Sequence, residues 1–410
     1  MRAIGGTLTA VLLVAGTAAL GGDGSADASA NPCAAATVVG TGGDDVLQGT
    51  EGDDVIDGRG GDDRILGLGG DDVLCGGEGQ DRLLGGAGAD TLHGGTDAKV
   101  VEDTEYYVYY GDTLDGGAGD DVLDPGSDGR HEGTVDTITY VHAPQAVTVD
   151  LGAGTATGVG DDTLLGPVAT LVGSAYDDTL TGSDAAETIV GSGGRDRLVG
   201  LGGADLLAGG SWGAGDDDRV GNLLLGGPGR DELHGSAGDD EIHGGRGNDL
   251  VQGEGGRDRT FGGAGDDSFN DLVLPGGAQA VHGGRGRDSL SAFGYADAGG
   301  HELRPVRGLT DLREGVTRAR FTDRSVTVTT AGIENVNTPR ARLWTVRGTG
   351  GPNELIAGFD HTAVRLYGLA GDDRLYGSFE DDVLDGGPGH DEGSGWTGHD
   401  RIRSIERLRG

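Results

Sequence analysis

From Gly40 to His93 the chain repeats itself every nine residues, as GTGGDDVLQ, GTEGDDVID, GRGGDDRIL, GLGGDDVLC, GGEGQDRLL and GGAGADTLH. The six copies follow one another without insertion. Asp45, Asp54, Asp63, Asp72, Asp81 and Asp90 fall nine residues apart, each two residues before an apolar partner: Leu47, Ile56, Ile65, Leu74, Leu83 and Leu92. With one obligatorily apolar side chain in nine, no repeat can build a core alone. Copies must stack, so that the apolar residues of successive coils form an interior column. The half around each apolar residue supplies a short strand, with that residue pointing in and its neighbours pointing out. The glycine-rich half supplies a tight turn, where positive φ is cheap without a Cβ and backbone can approach closely. The expected fold is all-β: a right-handed parallel β-roll or β-helix solenoid of nonapeptide repeats, with interspersed wider strand segments.

A carboxylate set among turn carbonyls suits a hard cation, and Ca²⁺ takes six to eight oxygen ligands in a flexible cage. Turns of adjacent coils would supply that number together, where one alone would not. The register G-G-x-G-x-D-x-U-x resembles the calcium-binding nonapeptide of the RTX, or hemolysin-type, repeat proteins of secreted bacterial type. The resemblance implies two nonapeptides per coil and rows of Ca²⁺ along both edges of the roll. Carried onto matching positions, it makes Asp45, Asp54, Asp63, Asp72, Asp81, Asp90, Asp112 and Asp121 the expected ligands of a first array. A second array offers Asp178, Asp196, Asp205, Asp231, Asp240, Asp249, Asp258, Asp267 and Asp288, and a third Asp373, Asp382, Asp391 and Asp400. The preceding acids, such as Asp44, Asp53 and Asp62, are expected to point outward. Extracellular calcium modules are weak, with dissociation constants of about 10⁻⁴ to 10⁻³ M, so binding is expected to supply folding free energy.

The composition agrees. A formal charge of −39, 89 glycines and 4% aromatic residues describe a chain that stays disordered unless something neutralises it. Such a chain attracts cations and does not hold nucleic acid or an anionic membrane electrostatically. Residues 1–30 read as an export signal: Arg2, an apolar run from Ile4 to Leu20, and Ala28-Ser29-Ala30 before the cut. No second apolar run could span a bilayer, and no lipobox surrounds Cys33, so the mature chain is expected outside the cell, without membrane insertion. In that oxidising compartment the two cysteines, Cys33 and Cys75, are expected to form a disulfide. The bridge would pin a strand at Ala36 to Val39 over the first coils as a cap.

The chain divides into the signal at 1–30, cap and first array at 31–135, and a strand-pair segment at 136–172. The second array at 173–290, an irregular strand-rich insertion at 291–347, and the third array with a C-terminal cap at 348–410 complete it. TEYYVYYG, within 97–111, reads as a strand packed on the roll, and alternation around Pro144 predicts two strands, at Asp136 to Tyr140 and Val147 to Leu151. Glu187 and Asn353 stand where an Asp belongs, Thr260 and Phe269 take apolar positions, and Gly393 leaves one without a side chain. The tail RIRSIERLRG is expected to fold over the end.

Catalytic motifs are weak. Gly209 to Gly213 matches G-x-S-x-G, but no helical stretch follows it. His131-Glu132 lacks the second histidine of a zinc motif, and His93, His234 and His243 occupy outward ninth positions. The expected function is a non-catalytic, calcium-dependent structural or interaction protein of the cell exterior. The alternative is a repeat-bearing extracellular enzyme with its site in 97–170 or 291–347.

Overall fold

A computed structural model describes residues 32–96, 111–126, 136–210, 220–270, 279–291, 295–296, 302–303, 307–320, 325–338, 343–357 and 363–408. The export signal, the tyrosine-rich stretch up to residue 110, His131-Glu132 and Ser211 to Gly213 of the G-x-S-x-G match lie outside these residues. Two compact units emerge, residues 1–181 and 182–410, and each is a parallel β-roll of stacked coils.

In the first unit a 3₁₀ turn at Pro32–Ala35 leads to strand Val38–Val39, which pairs in parallel with Ile56 and Asp57. The chain then alternates between two parallel sheets. One contains Val46–Gln48, Arg64–Gly69, Arg82–Ala87 and Thr113–Ala118; the other contains Val55–Gly60, Val73–Glu78, Thr91–Thr96 and Val122–Gly126. Val46 faces Arg64 and Ile56 faces Leu74, an offset of two nonapeptides, so two repeats make one coil. Leu47, Ile65, Leu83, Leu114 and Ile138 line up as one interior column, and Ile56, Leu74, Leu92 and Leu123 as the opposite one. Each fully buried aliphatic side chain contributes about 1.5–3 kcal/mol. A slip of one residue would turn a whole column outward, which fixes the register.

The two strands expected around Pro144 form, but in different sheets. Thr137–Thr139 pairs in parallel with Thr113–Ala118 and Thr170–Val172, whereas Thr148–Asp150 pairs antiparallel with Thr155–Thr157 and parallel with Thr179–Thr181. The antiparallel pairing continues from Thr155–Thr157 to Asp161–Leu164, which returns to the parallel ladder beside Val122 and Leu123. A three-stranded meander is therefore set into one coil. Its inward residues, Val149, Ala156 and Leu164, keep the column buried without the nine-residue beat.

Cys33 and Cys75 are disulfide-bonded, both buried, with Cα atoms 6.3 Å apart. The bridge ties the 3₁₀ turn to strand Val73–Glu78, so the first edge of the roll is covered. It closes a separation of 42 residues. Replacing both cysteines by Ala is expected to cost about 2–4 kcal/mol in calcium, measured by denaturant unfolding.

The second unit repeats the plan. Ile189, Leu207, Leu233, Val251, Phe269 and Leu290 form one column, and Leu198, Leu224, Ile242, Thr260 and Val281 the other. Thr260 and Phe269 are as buried as the leucines they replace. Within 291–347 the same device reappears: Arg307–Asp311, Val316–Arg320 and Ser325–Ala331 form an antiparallel meander. Ser325–Ala331 pairs in parallel with Gln279–Arg285, and Arg307–Asp311 with Leu343–Arg347. This segment is a widened coil of the roll. The tail does not fold over the end. Arg401–Arg403 and Arg407–Leu408 extend the two sheets by one rung each. Where Gly393 leaves the column without a side chain, a Cβ would lie 3.5 Å from the Ile405 methyl, which lies at that gap from the final turn.

Candidate metal centre: two carboxylate ladders

Each nonapeptide Asp two residues before a column residue immediately precedes a strand, with its N–H facing the next coil and its carboxylate the coil before. Its N–H donates to Oδ1 of the equivalent Asp one coil later: Asp45 to Asp63, Asp63 to Asp81, Asp54 to Asp72 and Asp72 to Asp90, all at 2.8–2.9 Å. The ladder crosses the interruption at 97–110, from Asp81 to Asp112 and from Asp90 to Asp121. In the second unit Asp205, Asp231, Asp249, Asp267 and Asp288 form one ladder, and Asp240 to Asp258, Asp373 to Asp391 and Asp382 to Asp400 are further rungs. Asp178 accepts from Val147 N, and Asp196 N donates to Asn222. Every expected position thus lies on a ladder. Asp45, Asp54 and Asp400 are half-buried and the others buried.

Among the described residues five further rungs were missed. Asp136, Asp162, Asn222, Glu334 and Glu406 accept the N–H of Asp112, Asp121, Asp196, Asp288 and Asp391. Their turns do not carry the usual glycine spacing, but all five stand two residues before a column residue: Ile138, Leu164, Leu224, Val336 and Leu408. That triplet of an acid or Asn, any residue and an apolar residue was the available signal.

The preceding acids form a second, exposed ladder. Asp44 accepts from Asp62 N, Asp53 from Asp71 N and Asp62 from Gln80 N, at 2.9–3.0 Å. They point outward as expected, yet they also cap the turn of the next coil. The ninth-position histidines flank these edges without converging on one another. His93 lies 3.3 Å from Asp124, His234 2.9 Å from Glu232, and His243 stacks on Phe261 at 4.6 Å.

The second carboxylate oxygen sets the chemistry. Oδ2 of Asp63, Asp72, Asp81, Asp90, Asp121 and Asp205 is buried and has no hydrogen-bond partner in the protein; the same holds for Asp231, Asp249, Asp267, Asp288, Asp373 and Asp391. A buried anionic oxygen without a donor is costly. Desolvation accordingly pushes the carboxyls of Asp63, Asp121, Asp205 and Asp267 up to about 7, and those of Asp72, Asp81, Asp249, Asp288 and Asp373 to about 6. Like charges of neighbouring rungs add to the rise, and the ladder hydrogen bonds oppose it.

Glycine at the first position of the repeat keeps that oxygen accessible to main chain. A Cβ on Gly67 would meet Asp72 Oδ2 at 2.2 Å and the Gly85 carbonyl at 2.5 Å. A carboxylate oxygen and a carbonyl oxygen of the next coil thus converge beside the same Cα. Among the described residues no three His, Cys, Asp or Glu side chains cluster as a metal site. The donor set is therefore one carboxylate per turn plus carbonyls, which is hard-oxygen chemistry and fits Ca²⁺ better than zinc.

Segments 39–74, 75–98, 110–129, 170–198, 181–211, 221–251, 234–269 and 365–402 match the RTX calcium-binding nonapeptide repeat, and together cover just over half of the chain. The chain belongs to the RTX calcium-binding repeat family. No curated protein matches it. In this RTX chain the repeats fall on the turns that carry the ladders. The matches leave out the widened coil at 291–347, where the turns follow a different spacing.

Proposed function

We propose that this RTX protein is a secreted, non-catalytic calcium-binding protein whose roll is completed by Ca²⁺. The ladder carboxylates with an unpartnered Oδ2, joined by turn carbonyls, would hold the ions. Bound Ca²⁺ would supply the positive charge those oxygens lack and keep the carboxylates ionised despite burial. The observation that carries this reading is the row of buried, partnerless carboxylate oxygens. The apolar run within residues 1–30 and the disulfide support export, because disulfides persist in oxidising compartments. Proteins bearing these repeats are typically secreted. Among the described residues no helix is long and apolar enough to cross a membrane. Stacked coils with charged side chains on their outer faces suit a structural or interaction role.

Equilibrium dialysis at neutral pH tests the reading. The chain is expected to take up several calcium ions, with half-saturation at about 10⁻⁴ to 10⁻³ M. A chain that takes up none up to ten-millimolar calcium would sink it.

A further inference from the structure

Among the described nonapeptides the rungs are of two kinds, and the second residue separates them. In one kind this residue has positive φ, as at Arg59 (+77°), Leu68 (+86°), Gly77 (+120°) and Gly245 (+122°). The turn then continues the parallel ladder, with Arg59 facing Gly77 and Leu68 facing Gly86. The carboxylates four residues on, Asp63, Asp72, Asp81 and Asp249, are those with a partnerless Oδ2, and each exposes 3% of its surface or less.

In the other kind the second residue is Ser or Thr and turns its own donors onto the carboxylate. Thr41 N and Oγ1 donate to Asp45 Oδ2 at 2.6 and 2.8 Å, and Thr50 does the same to Asp54 at 2.6 and 2.9 Å. Ser174 N and Ser378 N reach Oδ2 of Asp178 and Asp382 at 2.5 Å, Ser236 N reaches Asp240 at 2.8 Å, and Ser183 binds Glu187. In the equivalent rung at Asn353, Oδ1 accepts Thr349 N at 2.7 Å while Nδ2 donates to the Glu334 carbonyl. None of these carboxylates has an orphaned oxygen. A hydroxyl alone does not make a rung of this kind: Ser192 also holds a second position, but with φ of +77°.

The difference follows the coil before. Asp63, Asp72, Asp81 and Asp249 each accept a ladder bond from another nonapeptide Asp. Asp178 and Asp382 accept theirs from Val147 and Val364, which belong to no nonapeptide, and Asp240 accepts from Asn222. Asp45 and Asp54 lie in the first coil. The carbonyl of the next coil is present at these rungs, beside Gly40, Gly49 and Gly235 as beside Gly67; what they lack is a nonapeptide Asp turn in the coil before, and their second residue supplies donors to the carboxylate instead.

We propose that Ca²⁺ enters only rungs whose second residue has positive φ, and that Ser/Thr-closed rungs take no ion. This rests on the calcium-binding reading above and narrows the sequence expectation, which included Asp45, Asp54, Asp178, Asp240 and Asp382. At Asp45, Asp54, Asp178 and Asp382 the closed rung is the first nonapeptide Asp on its own edge, so those rows start on a coil already satisfied by its own donors.

Terbium-loaded crystals of the full wild-type chain, mapped by anomalous diffraction, test the assignment directly. Peaks are expected beside Asp63, Asp72, Asp81 and Asp249, and none beside Thr41–Asp45, Thr50–Asp54, Ser236–Asp240 or Ser378–Asp382. Peaks of equal height at both kinds of rung would overturn it. In solution, D72N and D249N are each expected to lower the calcium bound at saturation by at least one ion per chain. D54N and D382N, which copy the natural Asn353 rung, are expected to bind as many ions as wild type. Equal losses in all four variants, with wild type binding calcium, would overturn this assignment alone; a wild type that binds none would overturn the calcium reading with it.

Discussion

In chelator, the thermal midpoint of the chain is expected to fall as pH rises from about 4.5, until near pH 7.5 no folded transition is left, and in millimolar calcium it is expected to rise over the same range. Most proteins with buried carboxylates paired to cationic side chains do the reverse in chelator. Here the ladder carboxyls of Asp63, Asp121, Asp205 and Asp267 are pushed up to about 7 by desolvation, against about 4 in an unfolded chain. Between those values the ion-free folded state binds more protons than the unfolded state. That contribution to stability is complete below about pH 4 and is lost as pH climbs through 6 and 7. Protons stand in for the cation at low pH, and Ca²⁺ replaces them at neutral pH. Calcium should therefore raise the midpoint greatly near pH 7.5 and little near pH 4.5. Circular dichroism melts in both media across this range check it. A midpoint in chelator that stays level or rises with pH would show that the ladder oxygens are not desolvated as described.

Trp344→Ala is expected to destabilise the calcium-loaded protein by about 3–5 kcal/mol, the usual cost of emptying a large aromatic site. Trp344 is fully buried in strand Leu343–Arg347 and faces Gly308 and Val364 on the neighbouring strands. Its indole N–H donates to Thr310 Oγ1 at 3.2 Å, and Thr317 Oγ1 lies 3.2 Å from the same hydroxyl. Thr310 and Thr317 sit on adjacent antiparallel strands of the widened coil, so the indole joins the meander to the parallel roll. Trp344→Phe keeps most of the volume and loses the hydrogen bond, and should cost about 1–3 kcal/mol. Denaturant unfolding in calcium measures both. A change below about 0.5 kcal/mol for the alanine variant would place Trp344 outside the core.

The parallel roll was legible because one beat carries both functions. Leu74 fixes the inward face and Asp72 the edge, and neither can move without the other. Phe269 and Thr260 could be placed in the columns from phase alone, although neither looks like a repeat residue. The meanders at 148–164 and 307–331 were not legible as such. Their strands alternate ordinarily, and antiparallel partners are chosen by contacts between columns rather than by spacing. Asp162 shows the same limit at the ladder. It joins through the meander, and its Oδ2 accepts from the Tyr140 phenol hydroxyl at 3.0 Å. The two kinds of rung were written in the sequence as Thr41, Thr50, Ser174 or Ser378 against Arg59, Leu68 or Gly77. Only the backbone conformation gives that alternation its meaning.

Small-angle scattering and far-ultraviolet circular dichroism, recorded together through a calcium titration at about pH 7.5, address the role of the ion most directly. The expected result is an expanded, strand-poor chain in chelator that becomes compact and strand-rich as calcium reaches the millimolar range. A chain equally compact and equally rich in strand before and after calcium would contradict it.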